Sequence, residues 1–167
     1  EALVNLGEKP YRAKQMWHWI YCKGAQNFEE MSSFSEKLKV LLANHFTLQR
    51  PHISHEQLSN DGSFKWLLEV DGRNNIESVF IPEVDRGALC VSSQVGCTLN
   101  CSFCHTGTQK MLRNLTAGEI LGQVMVAKDK YQDWKKPASE RKLTNIVMMG
   151  MGEPLFNYPE VSKALKI

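Results

Sequence analysis

The sequence predicts an α/β fold, and three observations predict it. Residues 1 to about 46 repeat apolar side chains at helix spacing. From about 50 to 95 the period changes to two, and from Ala88 onward the order is strand, loop, helix, strand, loop, helix. That last pattern describes two βα units of a parallel architecture, preceded by a small helical domain and a β-hairpin segment. The divisions expected are 1–46, 47–87 and 88–167.

In the first region Pro10 suits a helix start, and Ala13, Met16, Trp17, Ile20 and Tyr21 recur at helix spacing. Phe34, Leu38, Leu41 and Leu42 repeat the pattern in a later helix. Arg12, Lys14, His18 and Lys23 are interleaved with Tyr11, Trp17, Trp19 and Tyr21. Such a mixture tracks phosphates and stacks bases in some proteins. It is equally what an ordinary amphipathic helix with a solvated face contains. Cys22, among these aromatics, is expected to pack.

The runs FKWLLEV (64–70) and IESVFI (76–81) are rich in β-branched and aromatic residues and read as strands. Asp61-Gly62 and Asp71-Gly72 mark turns, the second a hairpin. ALCVSSQV (88–95) is a further apolar run that ends at a cysteine-rich loop. Leu115 to Lys130 reads as a helix with Thr116 as N-cap and Glu119 closing a capping box. Its buried stripe is expected at Ile120, Leu121, Val124, Met125 and Ala127. After a charged connector, Asn145 to Met149 is a strand running into the turn GMGEP, and Pro159 to Ile167 begins another helix. In parallel α/β units, ligand-binding groups gather at the carboxyl ends of the strands. The cysteine loop and GMGEP both fall there. Two parallel strands must be buried on both faces, so further βα units are expected from outside this stretch. A start without Met and an end on KALKI agree with a truncated piece.

Composition narrows the setting. The 167 residues are 43% hydrophobic and 23% charged, with a formal net charge of +2. That argues against disorder and against a polycation, so any nucleic-acid surface must be a local patch. No apolar run approaches the roughly 20 residues of a membrane span, and the first residues lack a signal-peptide pattern. Of five cysteines, three crowd into eight residues, which points to metal or redox chemistry in a reducing compartment, hence the cytoplasm.

In GCTLNCSFCHTG, Cys97, Cys101 and Cys104 stand at i, i+4 and i+7. A structural zinc site takes four ligands, and an ordinary electron-transfer iron–sulfur centre takes four cysteines. Three thiolates leave one coordination place open, which favours a catalytic cluster. Cys90 lies in the preceding strand, where its default role is a core thiol.

These residues resemble the CxxxCxΦC signature of radical S-adenosylmethionine enzymes. The resemblance implies a partial (β/α) barrel holding a 4Fe–4S cluster on Cys97, Cys101 and Cys104. It also implies S-adenosylmethionine on the open iron, cleaved by one electron to a 5′-deoxyadenosyl radical. Phe103 would lie near the adenine, and Gly152 and Glu153 of GMGEP would contact the methionine amino group. CVSSQVGC, CSFC, RNLTAGEILGQV and NIVMMGMGEPL together resemble the RlmN family, radical enzymes that methylate C2 of adenosine in 23S rRNA and in the tRNA anticodon loop. That resemblance extends to YRAKQ in an accessory RNA-binding domain.

It further implies Cys90 as the cysteine that resolves a covalent RNA adduct and Glu77, in NNIESVFIPE, as proton acceptor. A methyl-carrying cysteine would lie beyond Ile167, so this stretch alone is expected to transfer no methyl group. Partners implied are 23S rRNA, tRNA and a flavodoxin-like electron donor, with no membrane and a monomeric state. Three alternatives remain open at this point: a Cfr-type enzyme acting at C8, another radical enzyme, and a non-catalytic iron–sulfur RNA-binding module. His105 is expected beside the cluster or at the surface. Lys110, Arg113 and Asn114 either face RNA phosphates or cap the next helix.

Overall fold

The computed structural model describes residues 2–84 and 86–167. Glu1 and Asp85, within the expected helical and β-rich segments, lie outside the described residues. The chain divides into two compact units, Glu1–Arg50 and Pro51–Ile167.

The first unit is helical. It contains α1 (Ala2–Asn5), α2 (Tyr11–Trp17), a π-helical turn (His18–Cys22) and α3 (Glu36–His45). Pro10 precedes α2, as expected. Ser35 caps α3 by accepting the Leu38 N–H, so that Leu38 and Leu42 are buried with Phe34, Met31, Phe28 and Ile20. The expected stripe on the earlier helix is only partly realised. Ile20 is buried, but Ala13 is exposed and Trp17 is 42% exposed. The reason is the π turn: the Lys23 N–H reaches back to the His18 carbonyl, five residues earlier. One extra residue in that turn breaks the 3.6-residue period on which the stripe was built.

The second unit is a five-stranded mixed sheet with helices on one face. Its strands are β1 (His52–Leu58), β2 (Phe64–Val70), β3 (Asn74–Pro82), β4 (Gly87–Cys90) and, after a separate two-stranded ribbon of β5 (Gln94–Val95) and β6 (Arg113–Asn114), β7 (Asn145–Val147). The order is β1-β2-β3-β4-β7, antiparallel as far as β4 and parallel between β4 and β7. The hairpin around Asp71-Gly72 and the parallel pair are therefore one sheet, with β3 filling the place beside β4.

Alternation decides the buried face. Trp66, Leu68 and Val70 of β2, Ile76 and Phe80 of β3 and Leu89 of β4 form a core cluster with residues of α4 (Ala117–Tyr131) and α5 (Tyr158–Leu165). The helices supply Ile120, Val126, Ala127, Val161 and Ala164. Tyr131 packs on Phe80 with ring centroids 4.4 Å apart. The α4 capping box is present in both directions, Thr116 to the Glu119 N–H and Glu119 back to the Thr116 N–H. Its stripe is shifted from expectation, since Gln123 and Val126 are fully covered while Leu121, Val124 and Met125 are half-buried.

Strand β1, HISHEQL, had no apolar alternation to announce it. All seven residues are exposed, and its register shifts between Ile53 and His55. A polar, irregular strand is how a sheet edge avoids pairing with another chain.

Past α4 the connector is held by a buried carboxylate. Asp133 accepts the Leu143 N–H at 2.7 Å and pairs with Lys136 at 3.1 Å. Burial pushes its pKa up, but the Leu143 and Lys142 amides and Lys136 outweigh this and hold it below 3.8. The sign follows: its contribution is complete above the ordinary carboxyl value and is lost as pH falls through the lower folded value. Asp133→Ala is expected to cost about 2–3 kcal/mol at neutral pH in urea unfolding, because the amides lose a charged acceptor. Asp133→Asn is expected to flatten the loss of stability below about pH 4.

Candidate active site

The expected strand 88–95 is split in two. Past Cys90 the backbone pairs first with the last residue of β7 and then with the segment after it. The Val91 N–H donates to the Val147 carbonyl at 2.9 Å, and the Gly150 N–H donates to the Val91 carbonyl at 3.0 Å. The Ser93 N–H then donates to the Met151 carbonyl at 2.8 Å. The carboxyl ends of the two parallel strands thus run on together, and the cysteine loop and GMGEP diverge from one seam.

Glycine is required at two points of that seam. A Cβ on Gly150 would stand 2.7 Å from the Ser92 nitrogen. Gly152 has φ +92°, and a Cβ there would stand 2.5 Å from the Gln94 Cβ. These glycines let two stretches of the chain close on each other.

Four polar residues that the sequence reading passed over hold the seam. Ser92 donates its hydroxyl to the Glu77 carbonyl at 2.6 Å and accepts the Met151 N–H at 2.8 Å. Gln123, from α4, accepts the Ser92 N–H at 2.7 Å and donates to the Ser92 carbonyl at 2.9 Å, as a neighbouring strand would. Asn157 donates to the Ser93 and Leu115 carbonyls, each at 2.8 Å. Gln94, fully buried, accepts the Glu153 N–H and the Thr98 hydroxyl, both at 3.1 Å, and donates to the Asn114 side chain at 2.8 Å. One side chain therefore joins the cysteine loop to the GMGEP turn. The available signal was polar residues, SSQ, interrupting an apolar run.

The cysteine loop is pinched at its neck, where Cys97 bridges to Lys110 and the Leu112 N–H donates to the Val95 carbonyl at 2.9 Å. All three of its cysteines are free and half-buried. The Leu99 N–H donates to the Cys97 sulfur at 3.4 Å. The Cys104 thiol is held below its ordinary value, first by the Gly107 amide and, against a desolvation cost, by Thr106. Backbone donors aimed at sulfur favour thiolate, the form that binds metal. Among the described residues, no three His, Cys, Asp or Glu side chains converge where one ion could hold them. In a cuboidal cluster each cysteine binds a different iron, and three thiols on one loop supply three of its four corners.

The remaining predicted residues lie around this loop. Phe103 is 91% exposed, its ring uncovered. Glu153 turns its carboxylate to accept the Leu155 N–H at 3.2 Å. Cys90 and Glu77 share the sheet face that points away from α4 and α5. Cys90 is registered opposite Val79, two residues along β3 from Glu77, which makes Cys90 and Glu77 diagonal neighbours. The Cys90 thiol is pushed up by burial and rests protonated. The Glu77 carboxylate pairs with Lys65 at 3.0 Å and is half-exposed. His105 is exposed, in a short 3₁₀ turn. The choice left open for Arg113 and Asn114 is decided by internal partners. Arg113 donates to both Glu119 oxygens at 2.7 and 2.9 Å and pairs with Asp71 at 2.6 Å, and Asn114 serves Gln94.

Three thiols and a glycine-rich acidic turn thus stand at the ends of adjacent parallel strands of an α/β unit, and that unit is similar to a radical S-adenosylmethionine methyltransferase. The chain superimposes on the crystal structure of a radical SAM methyltransferase from Sphaerobacter thermophilus with a TM-score of 0.87 and 38% identity. The superposition covers 99% of this chain and 48% of that one. Residues 1–48 match the family described as the ribosomal RNA large subunit methyltransferase N-terminal domain, RlmN_N. The chain is 58% identical over 171 residues to the dual-specificity RNA methyltransferase RlmN of Bradyrhizobium diazoefficiens, covering 98% of this chain and 43% of that protein. It is 57% identical over 166 residues to the RlmN of Rhodospirillum rubrum, covering 99% and 39% respectively. Over nearly its whole length the chain matches members of the RlmN family, and it spans less than half the length of these relatives.

Proposed function

We propose that the protein to which this chain belongs is a radical S-adenosylmethionine RNA methyltransferase. It would act on C2 of adenosine in 23S rRNA and in the tRNA anticodon loop. The observation that carries this is the three-thiol loop tied through Gln94 to the Gly152-Glu153 turn, in a chain 58% identical to an RlmN over nearly its whole length. Cys97, Cys101 and Cys104 would hold a 4Fe–4S cluster, which supplies one-electron chemistry toward S-adenosylmethionine. A flavodoxin-like donor would deliver the electron.

Each residue has a task it can perform from its position. Glu153 keeps one carboxylate oxygen beyond the one capping Leu155, enough to accept from the methionine ammonium. Phe103 offers an uncovered ring for the adenine to stack on. Cys90, a neutral thiol on the open face of the sheet, would become a nucleophile when a base takes its proton. Glu77, held by Lys65 on the same face, would accept the proton leaving the RNA base. The helical unit would supply accessory RNA contacts, and strands and helices beyond this stretch would complete a partial (β/α) barrel. We place the protein in the cytoplasm as a monomer. Among the described residues no helix is long and apolar enough to cross a membrane.

The test is spectroscopic. After anaerobic loading of this chain with iron and sulfide, S-adenosylmethionine is expected to change the electron paramagnetic resonance spectrum of the reduced cluster. An unchanged spectrum would count against cofactor binding at an open iron. In the longer protein, mass spectrometry of treated RNA should then find 2-methyladenosine; 8-methyladenosine instead would favour the Cfr-type alternative.

A further inference from the structure

The helical unit contains an open cleft of about 550 Å³, lined by Lys14, Gln15, His18, Trp19, Lys23 and Ser33. Its size falls in the roughly 300–1,000 Å³ range of ligand pockets. Lys14 and His18, Gln15 and Trp19, and Trp19 and Lys23 are each four residues apart, so helical spacing brings them to one face, and the π turn carries two of the lining residues, His18 and Trp19. Single π turns occur often at functional positions.

The charges in this unit are unevenly compensated. Lys39 pairs with Glu29 and Glu36, and Arg12 reaches Glu8. Arg12 also braces the cleft wall, donating to the Gln15 side chain at 2.9 Å and to the Ser33 carbonyl at 3.3 Å. Among the described residues Lys14 and Lys23 have no such partner, and none of the residues lining the cleft is a carboxylate. Trp19 is half-buried and fixed in orientation, its indole N–H donating to the Ser33 hydroxyl at 2.9 Å. Two unpaired ammonium groups beside a fixed indole are the combination that holds single-stranded nucleic acid: cations for consecutive phosphates and a flat ring for a base.

We propose that this cleft is a single-stranded RNA subsite, with Lys14 and Lys23 on phosphates and Trp19 under a base. It lies outside the cysteine site and rests on the reading that this family member acts on RNA. Of the interleaved basic and aromatic residues of the sequence, four line the cleft (Lys14, His18, Trp19 and Lys23), and three of these are given RNA contacts. Arg12 belongs to the wall, and Trp17 and Tyr21 lie outside the lining.

The test uses this chain and a fluorescent single-stranded oligoadenylate of about twelve nucleotides, followed by anisotropy across salt concentrations. Lys14→Ala with Lys23→Ala is expected to weaken binding about tenfold near 0.1 M salt and to lower the salt slope by about 1.4, at roughly 0.7 per phosphate contact. Lys9→Ala with Lys37→Ala removes the same charge outside the cleft and is expected to leave the slope nearly unchanged. Trp19→Ala should weaken binding about tenfold, and Trp19→Phe should restore most of it because stacking needs only a ring. Circular dichroism confirms that each variant is folded. Equal losses in the two lysine pairs would overturn the cleft while leaving RNA binding in place. No binding by the unaltered chain would overturn the cleft and the accessory RNA role together, whatever the cluster spectra show. Loss with Trp19→Phe as large as with Trp19→Ala would overturn the stacking assignment.

Discussion

Cys101→Ala is expected to reduce the iron retained after anaerobic reconstitution from about four per chain to nearly none, and Cys90→Ala to leave it unchanged. Cys101 lies between the other two cysteines of a loop closed at its neck by the Cys97–Lys110 bridge. Its carbonyl accepts the Cys104 N–H at 3.1 Å, so the middle ligand also shapes the turn that carries the last one. Two thiolates cannot hold a cuboidal cluster against solvent. Cys90, by contrast, is on β4, facing the open side of the sheet beside Val79. Iron and sulfide analysis with absorption near 400 nm reads both variants. If Cys90→Ala lost the cluster as completely as Cys101→Ala, Cys90 would be a fourth ligand and the open coordination place would disappear. The chain would then fit an electron-transfer or structural centre better than a radical enzyme.

The contrast matters because the two thiols differ chemically in the directions that the roles proposed for them demand. Amides of Gly107 and Thr106 hold the Cys104 thiol down, whereas burial pushes Cys90 up. A cluster ligand must be thiolate at neutral pH. A resolving thiol serves better if it stays neutral until its base is in place.

What could be read from the sequence follows from how local the cause is. The capping box of Thr116 and Glu119 and the hairpin at Asp71-Gly72 are fixed by residues within a few positions of one another, and both are found where expected. Strand β1 is fixed by its partner β2, and its seven exposed residues carry no periodicity of their own. The π turn at His18–Cys22 leaves no compositional mark, so the helical stripe drawn through it went out of phase. The site divides in the same way. The thiol spacing and GMGEP are contiguous and legible. Apart from the bond between Gln94 and Thr98, Gln94, Gln123 and Asn157 act across 20 to 64 positions of chain, which no local pattern reports. The close packing behind GMGEP is of the same kind: Gly150 and Gly152 leave room for Ser92 and Gln94, residues 58 positions away in the chain.

Gln94→Leu is therefore expected to be the most damaging single change that touches no cysteine. Leucine nearly preserves volume but removes an acceptor for the Glu153 N–H and the Thr98 hydroxyl and a donor to Asn114. Each group left without a partner costs about 1–3 kcal/mol, and hydrogen bonds to water through the exposed loop offset part of this. A loss of about 3 kcal/mol in urea unfolding is the expected sum. The functional loss should exceed the structural one, because Gln94 sets the position of Glu153 relative to the cysteine loop. The reconstituted variant should keep its iron while binding S-adenosylmethionine at least tenfold more weakly. Gln94→Glu separates the two effects. It retains both acceptor roles and sets an oxygen against the Asn114 side-chain oxygen, which an Asn flip can relieve. It should recover most of the cofactor affinity at a smaller cost in stability. Equal cofactor affinity in Gln94→Leu and the unaltered chain would show that the two loops hold their positions without this residue.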